Sequence, residues 1–348
     1  MSVVIVLEGV GPDRFTVAVS PLAELAATLH VLTEHTHHSR HASWAAEVTG
    51  TAPPAFRAGL LRFAPLWTAL RWRAFYPGIE AAAPNELCLA RFAEVTAYTC
   101  VSRYRGFDFS RLLHDPAQAA TLRHAAAMLL EPHLRLAEDL LRDPEALRAD
   151  IFGFLDLCWE VFFSDLWVDT APILTRAAGR LRRQLAHKGP AVALGSLSPS
   201  TLRRNPTRVV FDKVHDVVLS PALTPVLLIP TRFGAPHLLV KNEPGLPPVV
   251  HFPVDAPGVG VTLARNRMLT LTNRHRVRLC RLIARQAMTT ADLADQLSMT
   301  RPMVARHLRA LRELGLVRVE RHGRYVHYRL DLAAVERIGQ DIATALQR

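Results

Sequence analysis

Two groups of side chains in this sequence have the types and spacing for chemistry. The first is a run of imidazoles. His35, His37, His38 and His41 fall close together in LTEHTHHSRHASW, with His30 just upstream. In a helix, His37 and His41 would face together, a spacing that can hold zinc. A zinc site wants three or four ligands, and neither a cysteine nor a well-placed third ligand lies near. A solvated His-rich turn before Trp44 accounts for the run as well, so no metal is assigned to it. The second group is guanidinium groups. Residues 263–348 hold 17 Arg and no Lys against 7 acidic residues, while residues 1–262 hold 25 basic and 24 acidic. Nearly all of the net charge of +11 therefore lies in the last quarter of the chain. That asymmetry is the electrostatic footprint of a nucleic-acid-binding module attached to a neutral body.

At 348 residues and 49% hydrophobic content, the chain can build two domains with sizeable cores, and disorder is excluded as the dominant state. The opening MSVVIVLEGVGPDRF has no basic n-region and no cleavage site, so no signal peptide is expected. The apolar run IFGFLDLCWEVFFSDLWV carries Asp156, Glu160 and Asp165, which are costly in a bilayer, and reads as a buried core helix. Cys88, Cys100, Cys158 and Cys280 are scattered without a CxxC pair, as suits apolar packing residues in a reducing cytoplasm.

A β-prone opening (VVIVLEGV, RFTVAVS) leads to a helix at SPLAELAATLHVL, with Ser20 as its cap and Pro21 in its first turn. From there to about residue 188 the pattern is helical, broken at TAPPAF, FYPGIE, HDPAQ and RDPEAL. Residues 206–254 are rich in proline and β-branched residues and read as short strands. VDAPGVGV, 254–261, reads as a linker, which divides the chain into 1–254 and 262–348.

After the linker the boundary signals are dense. Thr272 precedes NRHRVRLCRLIARQA, whose Val277, Leu279, Cys280, Leu282 and Ile283 make one face, while Arg274, Arg278, Arg281 and Arg285 share the other. Thr290 caps ADLADQLS, and Thr300 caps RPMVARHLRALREL, with Pro302 in its first turn and Gly315 at its end. LVRVER and RYVHYRL then flank a two-residue His322-Gly323 turn. Helix, helix, tight turn, helix, hairpin is the order of a winged helix-turn-helix.

The stretch MTTADLADQLSMTRPMVARHLRALRELGLVRVERHGRYVHYRL resembles the ArsR-type family of winged-helix regulators. The resemblance covers about residues 264–348, and RHLRALRELGLV followed by a basic hairpin and YRL is its specific part. It implies that the second motif helix enters the major groove of double-stranded DNA with its N-terminal exposed residues at base edges. Those are Thr300, Arg301, Pro302, Ala305 and Arg306, of which the two arginines can each grip a guanine through two hydrogen bonds. His307, Arg309 and Arg312 lie further along, towards phosphates, and the wing residues Arg318, Arg321, His322 and Arg324 are placed for backbone or minor groove. Many family members have Ser where this chain has Ala305, so one hydroxyl contact that the resemblance implies is missing here.

The final helix, LAAVERIGQDIATAL, carries Leu332, Val335, Ile338, Ile342 and Leu346 at helical spacing. By resemblance, such terminal helices dimerise, which would match two half-sites about one turn apart. The family's metal sites are thiolates of the first motif helix or Asp/His ligands of the last helix. This chain has Thr289, Ala291 and Ala294 where cysteines would stand, and no His in its final helix.

Residues 1–254 contain no GxGxxG, Walker loop, GxSxG or HExxH, so no cofactor and no catalytic residue is expected. SPLAELAATLHVL with Trp44, then CWEVFFSDLW and VLLIPTRFGAPHLLV, resemble an uncharacterised domain that precedes an ArsR-type winged helix in actinobacterial regulators. Trp44, Trp67, Trp72, Trp159 and Trp167 are read as core residues.

The expectation is an α+β protein: a mostly helical N-terminal domain with a β-rich extension, then a winged helix. Its function would be that of a cytoplasmic, dimeric, DNA-binding repressor without enzymatic activity or membrane attachment, whose N-terminal domain senses a small ligand or partner. The rivals are an enzyme tethered to DNA and a metalloregulator built on the histidine run.

Overall fold

The structure, a computed structural model, describes residues 2–34, 38, 41–70, 72–76, 87–101, 107–197, 201–213, 216–235, 237–243, 246–254, 261–322 and 325–347. It forms two compact units, Met1–Ala256 and Pro257–Arg348.

The first unit is built from helices α1 (Pro21–Thr33), α2 (Ala42–Thr51), α3 (Pro54–Arg62), α4 (Ala64–Trp67) and α5 (Leu89–Ala97). They are followed by α6 (Pro116–Ala127), α7 (Glu131–Arg142), α8 (Pro144–Cys158), α9 (Ser164–Lys188) and α10 (Pro190–Gly195). Ser20 caps α1 as its sequence suggests: its hydroxyl accepts from the Ala23 N–H at 3.1 Å. Asp115 and Asp143 cap α6 and α8 in the same way, each ahead of a proline in the first helical turn.

The run 151–168 is amphipathic rather than fully buried. Asp156, Glu160 and Asp165 are exposed, and Trp159 is 43% exposed. A five-residue π-helix, Trp159–Phe163, links α8 to α9 there. The widened turn shifts the helix face, turning Trp159 outward and Phe163 inward. No helix among the described residues is long and apolar enough to cross a membrane. Trp67 and Trp72 are in the core, as expected, and the Trp72 indole donates to the Thr96 hydroxyl at 3.1 Å. Cys88 departs from its expected packing role: it is exposed, while Cys100, Cys158 and Cys280 are buried.

Among the described residues this unit has strands β1 (Ser2–Val6), β2 (Phe15–Val17), β3 (Thr201–Asn205), β4 (Arg208–Asp212), β5 (Val217–Leu219), β6 (Val226–Thr231), β7 (Leu239–Lys241) and β8 (Val249–Pro253). They form two four-stranded sheets, ordered β3-β4-β1-β5 and β2-β6-β8-β7. The β-rich segment is completed by strands from the start of the chain. Strand β1 lies between β4 and β5, and β2 runs parallel to β6, so both sheets need the chain's first residues. Strands β6 and β8 are buried along their whole length, which explains their unbroken apolar character. Leu227, Ile229 and Val249 face the helical core, while Val226, Leu228, Val250 and Phe252 pack with β1, α9 and α10.

Glu24 of α1 pins the helices to this sheet. Its carboxylate accepts from the N–H groups of Arg232 and Phe233, at 3.0 and 2.9 Å, just after β6. Burial raises its pKa, and these hydrogen bonds oppose that rise.

The second unit contains α11 (Val261–Thr270), α12 (Arg274–Arg285), β9 (Met288–Thr289), α13 (Thr290–Leu297) and α14 (Arg301–Glu313). Strands β10 (Val317–His322) and β11 (Tyr325–Leu330) and helices α15 (Leu332–Glu336) and α16 (Ile338–Gln347) complete it. Its three-stranded sheet is ordered β10-β11-β9. Helix α11 was not foreseen, and the final helix is two helices rather than one. Arg267 of α11 explains part of this: it pairs with Asp341 of α16 at 3.1 Å and donates through Nε to the Leu314 carbonyl at 2.9 Å. One guanidinium thus joins α11, α16 and the end of α14.

Candidate nucleic-acid interface

The helix-turn-helix starts one residue earlier than the sequence suggests. Thr289, not Thr290, caps α13, and it forms a reciprocal capping box: its hydroxyl accepts from the Asp292 N–H while the Asp292 carboxylate accepts from the Thr289 N–H at 3.0 Å. The hydrogen bond from the Thr289 hydroxyl, joined by that from its N–H, holds the Asp292 pKa below its usual value. Asn273 caps α12 by accepting from His275 and Arg276 N–H groups. Ser298 adopts a left-handed conformation, φ 54°, and ends α13; Gly315, φ 65°, follows α14. Three residues, 298–300, thus separate the two motif helices.

Leu279, Cys280 and Ile283 of α12, Leu293 and Leu297 of α13, and Val304, Leu308 and Leu311 of α14 form one core. Val277, assigned to the inner face of α12, is 38% exposed. With its leucines inward, α14 turns Arg301, Pro302, Ala305, Arg306, Arg309 and Arg312 to solvent, and Thr300 stands exposed at its N-cap. Met303, also exposed on this first turn, was missed: its side-chain type carries no polar signal. Arg274, Arg278, Arg281 and Arg285 of α12 are exposed as the spacing predicts.

His307 is a correction. Expected near phosphates, it is buried, and its ring stacks on His275 with centroids 6.2 Å apart. Burial lowers its pKa, helped by Arg276 and Arg306, so it is a neutral packing group near pH 7. Arg318 is exposed on β10, as a wing contact requires. It pairs with Asp331 at 2.9 Å, and the same carboxylate caps α15 by accepting from the Ala334 N–H. The hydrogen bond from Arg318 is the main reason that the Asp331 pKa is lowered. Arg318 thus anchors the base of the hairpin with its charge already matched.

In the hairpin, His322 pairs with Tyr325, so residues 323 and 324 separate the strands and His322 itself lies in β10. Arg321 is exposed on β10. Arg324 and the side chain of His322 lie outside the described residues.

The histidine run divides. His35 and His37 lie outside the described residues. His38 is buried and touches two imidazoles edge-on, His30 at 5.1 Å and His237 at 5.4 Å between ring centroids. His41 stacks on Phe233 at 4.5 Å. Among the described residues no three His, Cys, Asp or Glu side chains are arranged to hold a metal ion. The solvated turn proposed for this run therefore does not describe His38, which is part of a packed junction between α1 and the loop after β6.

Sequence reasoning also missed a buried polar layer between the helices and the second sheet. Arg73, Glu243, Lys241, Tyr76 and His251 are all buried there. Arg73 Nε stands 3.5 Å from a Glu243 oxygen, and its Nη2 donates to the Pro247 carbonyl. Tyr76 meets His251 edge-on at 5.6 Å. Burial lowers the His251 pKa to about 3, with Lys241 adding to the effect, so this imidazole is neutral at pH 7. Two open clefts, of about 290 and 220 Å³, lie elsewhere in the unit, and neither brings together a nucleophile with a base or a pair of carboxylates.

Residues 273–319 match the family described as bacterial regulatory protein, arsR family, which covers the capped helices, α14 and the first half of β10. No curated protein matches the chain. The remaining unit falls within a match that spans residues 1–258, and the chain therefore belongs to a family of unknown function (DUF5937) whose domain is here joined to an ArsR-family DNA-binding helix-turn-helix.

Proposed function

We propose that this DNA-binding regulator acts as a cytoplasmic homodimeric repressor, reads its operator with Arg301 and Arg306, and releases it when the N-terminal domain binds a small ligand or partner. The observation that carries the reading is the exposed face of α14. Thr300, Arg301, Pro302, Ala305 and Arg306 lie together at the helix start, and among the described residues neither arginine is in an ion pair. Free guanidinium groups on a helix backed by a closed leucine core are ready for two-point contact with guanine.

Dimerisation is supported by the apolar residues that the α11–α16 pair leaves outside. Met268 and Leu269 are 47% and 45% exposed, and Leu332 of α15 is 51% exposed. Part of the expected terminal stripe is used internally, since Ile338 packs in the unit's own core. Sensing is the economical role for a domain whose described residues bring together no catalytic arrangement. A ligand that prefers the DNA-incompetent state lowers affinity by its differential binding energy, typically about 1–3 kcal/mol.

Footprinting the full chain on DNA upstream of its own gene tests this. A protected pair of half-sites about one helical turn apart is expected, with release on addition of cell extract or candidate small molecules. A single unpaired site would contradict the dimer, and binding that no addition alters would contradict sensing.

A further inference from the structure

The body of the protein is neutral as a whole, yet one helical element in it is strongly polarised. From Pro144 to Lys188 the chain is continuously helical through α8, the π-helical turn and α9. Residues 149–175 carry Asp150, Asp156, Glu160, Asp165 and Asp169 and no Lys or Arg. Residues 176–188 carry Arg176, Arg180, Arg182, Arg183 and Lys188 and no acid. The inner face of this basic half is committed to the core through Ala177, Ala178, Leu181 and Leu185. Arg182 reaches back to donate to the Val17 carbonyl at 2.6 Å. Arg176, Arg180 and Arg183 recur at helical spacing on one exposed face, and His187 continues it.

Several other arginines of this unit are neutralised, although Arg57, Arg123 and Arg208 are exposed without an ion pair among the described residues. Arg62 pairs with Asp139 and Asp150, Arg91 with Glu94, Arg111 with Asp115, Arg135 with Glu131 and Arg142 with Asp139. Among the described residues Arg176, Arg180 and Arg183 have no carboxylate within ion-pair distance. The helix dipole accounts for cations in the last turn only, and this run extends over three turns. An amphipathic membrane helix would set large apolar residues beside the cations, and none is exposed between residues 170 and 188.

We propose that the Arg176–Arg180–Arg183 face of α9 is a second, sequence-independent contact for the phosphate backbone of the DNA that the winged helix reads. The proposal rests on the reading of Pro257–Arg348 as a DNA-binding unit. From Arg176 to Arg183 the face covers about 10 Å along the helix axis, roughly the axial rise of three phosphates in one strand. The units are joined through residues 255–260. Once the winged helix is seated, a contact by α9 is intramolecular and benefits from the high effective concentration that a short tether provides.

The test uses the full chain with Arg176, Arg180 and Arg183 all changed to Gln, and a second variant with all three changed to Lys. Binding to the footprinted operator and to a random duplex of equal length is measured across salt concentrations. The fluorescence of the five tryptophans, all within the N-terminal unit, reports its folding. The Gln variant should lose about two to three units of salt slope on both duplexes while keeping its preference for the operator, and the Lys variant should retain the parent slope. A Gln variant with the parent's slope overturns the proposal. Loss of slope that Lys does not restore overturns it as well. Failure of the winged-helix reading has a different signature: Arg301→Ala with Arg306→Ala would leave operator preference intact.

Discussion

In the C-terminal unit the guanidinium groups of Arg274, Arg278, Arg301, Arg306 and Arg309 stand in water, above a core of leucine, isoleucine and valine. In the N-terminal unit Arg73, Glu243, Lys241 and His251 lie inside, between the helices and a sheet whose two central strands are covered on both faces. An exposed charge is nearly free of folding cost and available to a partner. A buried charge contributes little net stability, but leaving its partner alone is expensive. The first arrangement therefore suits recognition, and the second makes the shape of the N-terminal core depend on its polar partners.

The sharpest way to break this contrast is to remove one buried partner. Arg73→Met leaves Glu243 without its guanidinium and should destabilise the N-terminal unit by about 3–5 kcal/mol. Arg73→Met with Glu243→Met should recover much of the loss, because the unpaired charge goes as well. Denaturant unfolding followed by tryptophan fluorescence reads this unit alone, since all five tryptophans lie in it. A cost below about 1 kcal/mol for the single change, the usual value of a surface pair, would show that the pair is not buried in solution.

The next effect depends on pH. The folded His251 pKa is about 3, below its unfolded value of about 6.5, so the unfolded chain binds the proton more tightly. Stability is whole above the unfolded value and is lost as pH falls through the window from about 6.5 towards 3, by up to about 1.4 kcal/mol per pH unit. At pH 5 the loss is about 2 kcal/mol. His251→Leu should flatten the decline seen by tryptophan fluorescence. A variant as acid-sensitive as the parent would mean that other groups set the acid limb.

The smallest expected effect concerns the histidine run. Replacing His35, His37, His38 and His41 with Asn should leave DNA affinity unchanged, with or without zinc. The motive is the absence of the family's ligand residues at Thr289, Ala291 and Ala294 and of His in the final helix. A zinc-dependent shift in the parent that disappears in the variant would revive the metalloregulator reading.

How far each unit can be read from its sequence follows from the same contrast. In the C-terminal unit local rules act alone. Helical spacing put Leu308 and Leu311 inside, and Thr300 and Gly315 mark the ends of α14. The departures there were the unforeseen α11, the division of the final helix into α15 and α16, the exposed Val277, shifts of register at Thr289 and at the hairpin turn, and His307, whose burial depends on His275 of another helix. In the N-terminal unit the decisive contacts are remote in sequence. Strand β1 pairs with β4 some two hundred residues later, Glu24 accepts from Arg232 and Phe233, and Arg73 meets Glu243. No periodicity carries such pairings, because a buried Arg or His looks in sequence like a surface one. The polarised helix escaped notice for a different reason: its acidic and basic halves cancel in any count over the whole domain.

The most direct test of the account is the affinity of the full chain for operator and random duplexes across salt concentrations, for the parent, Arg301→Ala, Arg306→Ala and Arg309→Ala. Arg301→Ala and Arg306→Ala should each weaken operator binding by about 1–3 kcal/mol and relax discrimination at particular base positions. Arg309→Ala should weaken binding to both duplexes alike and flatten the salt slope by about one unit. If Arg301→Ala and Arg306→Ala bind the operator with undiminished preference, α14 is not the helix that reads the DNA.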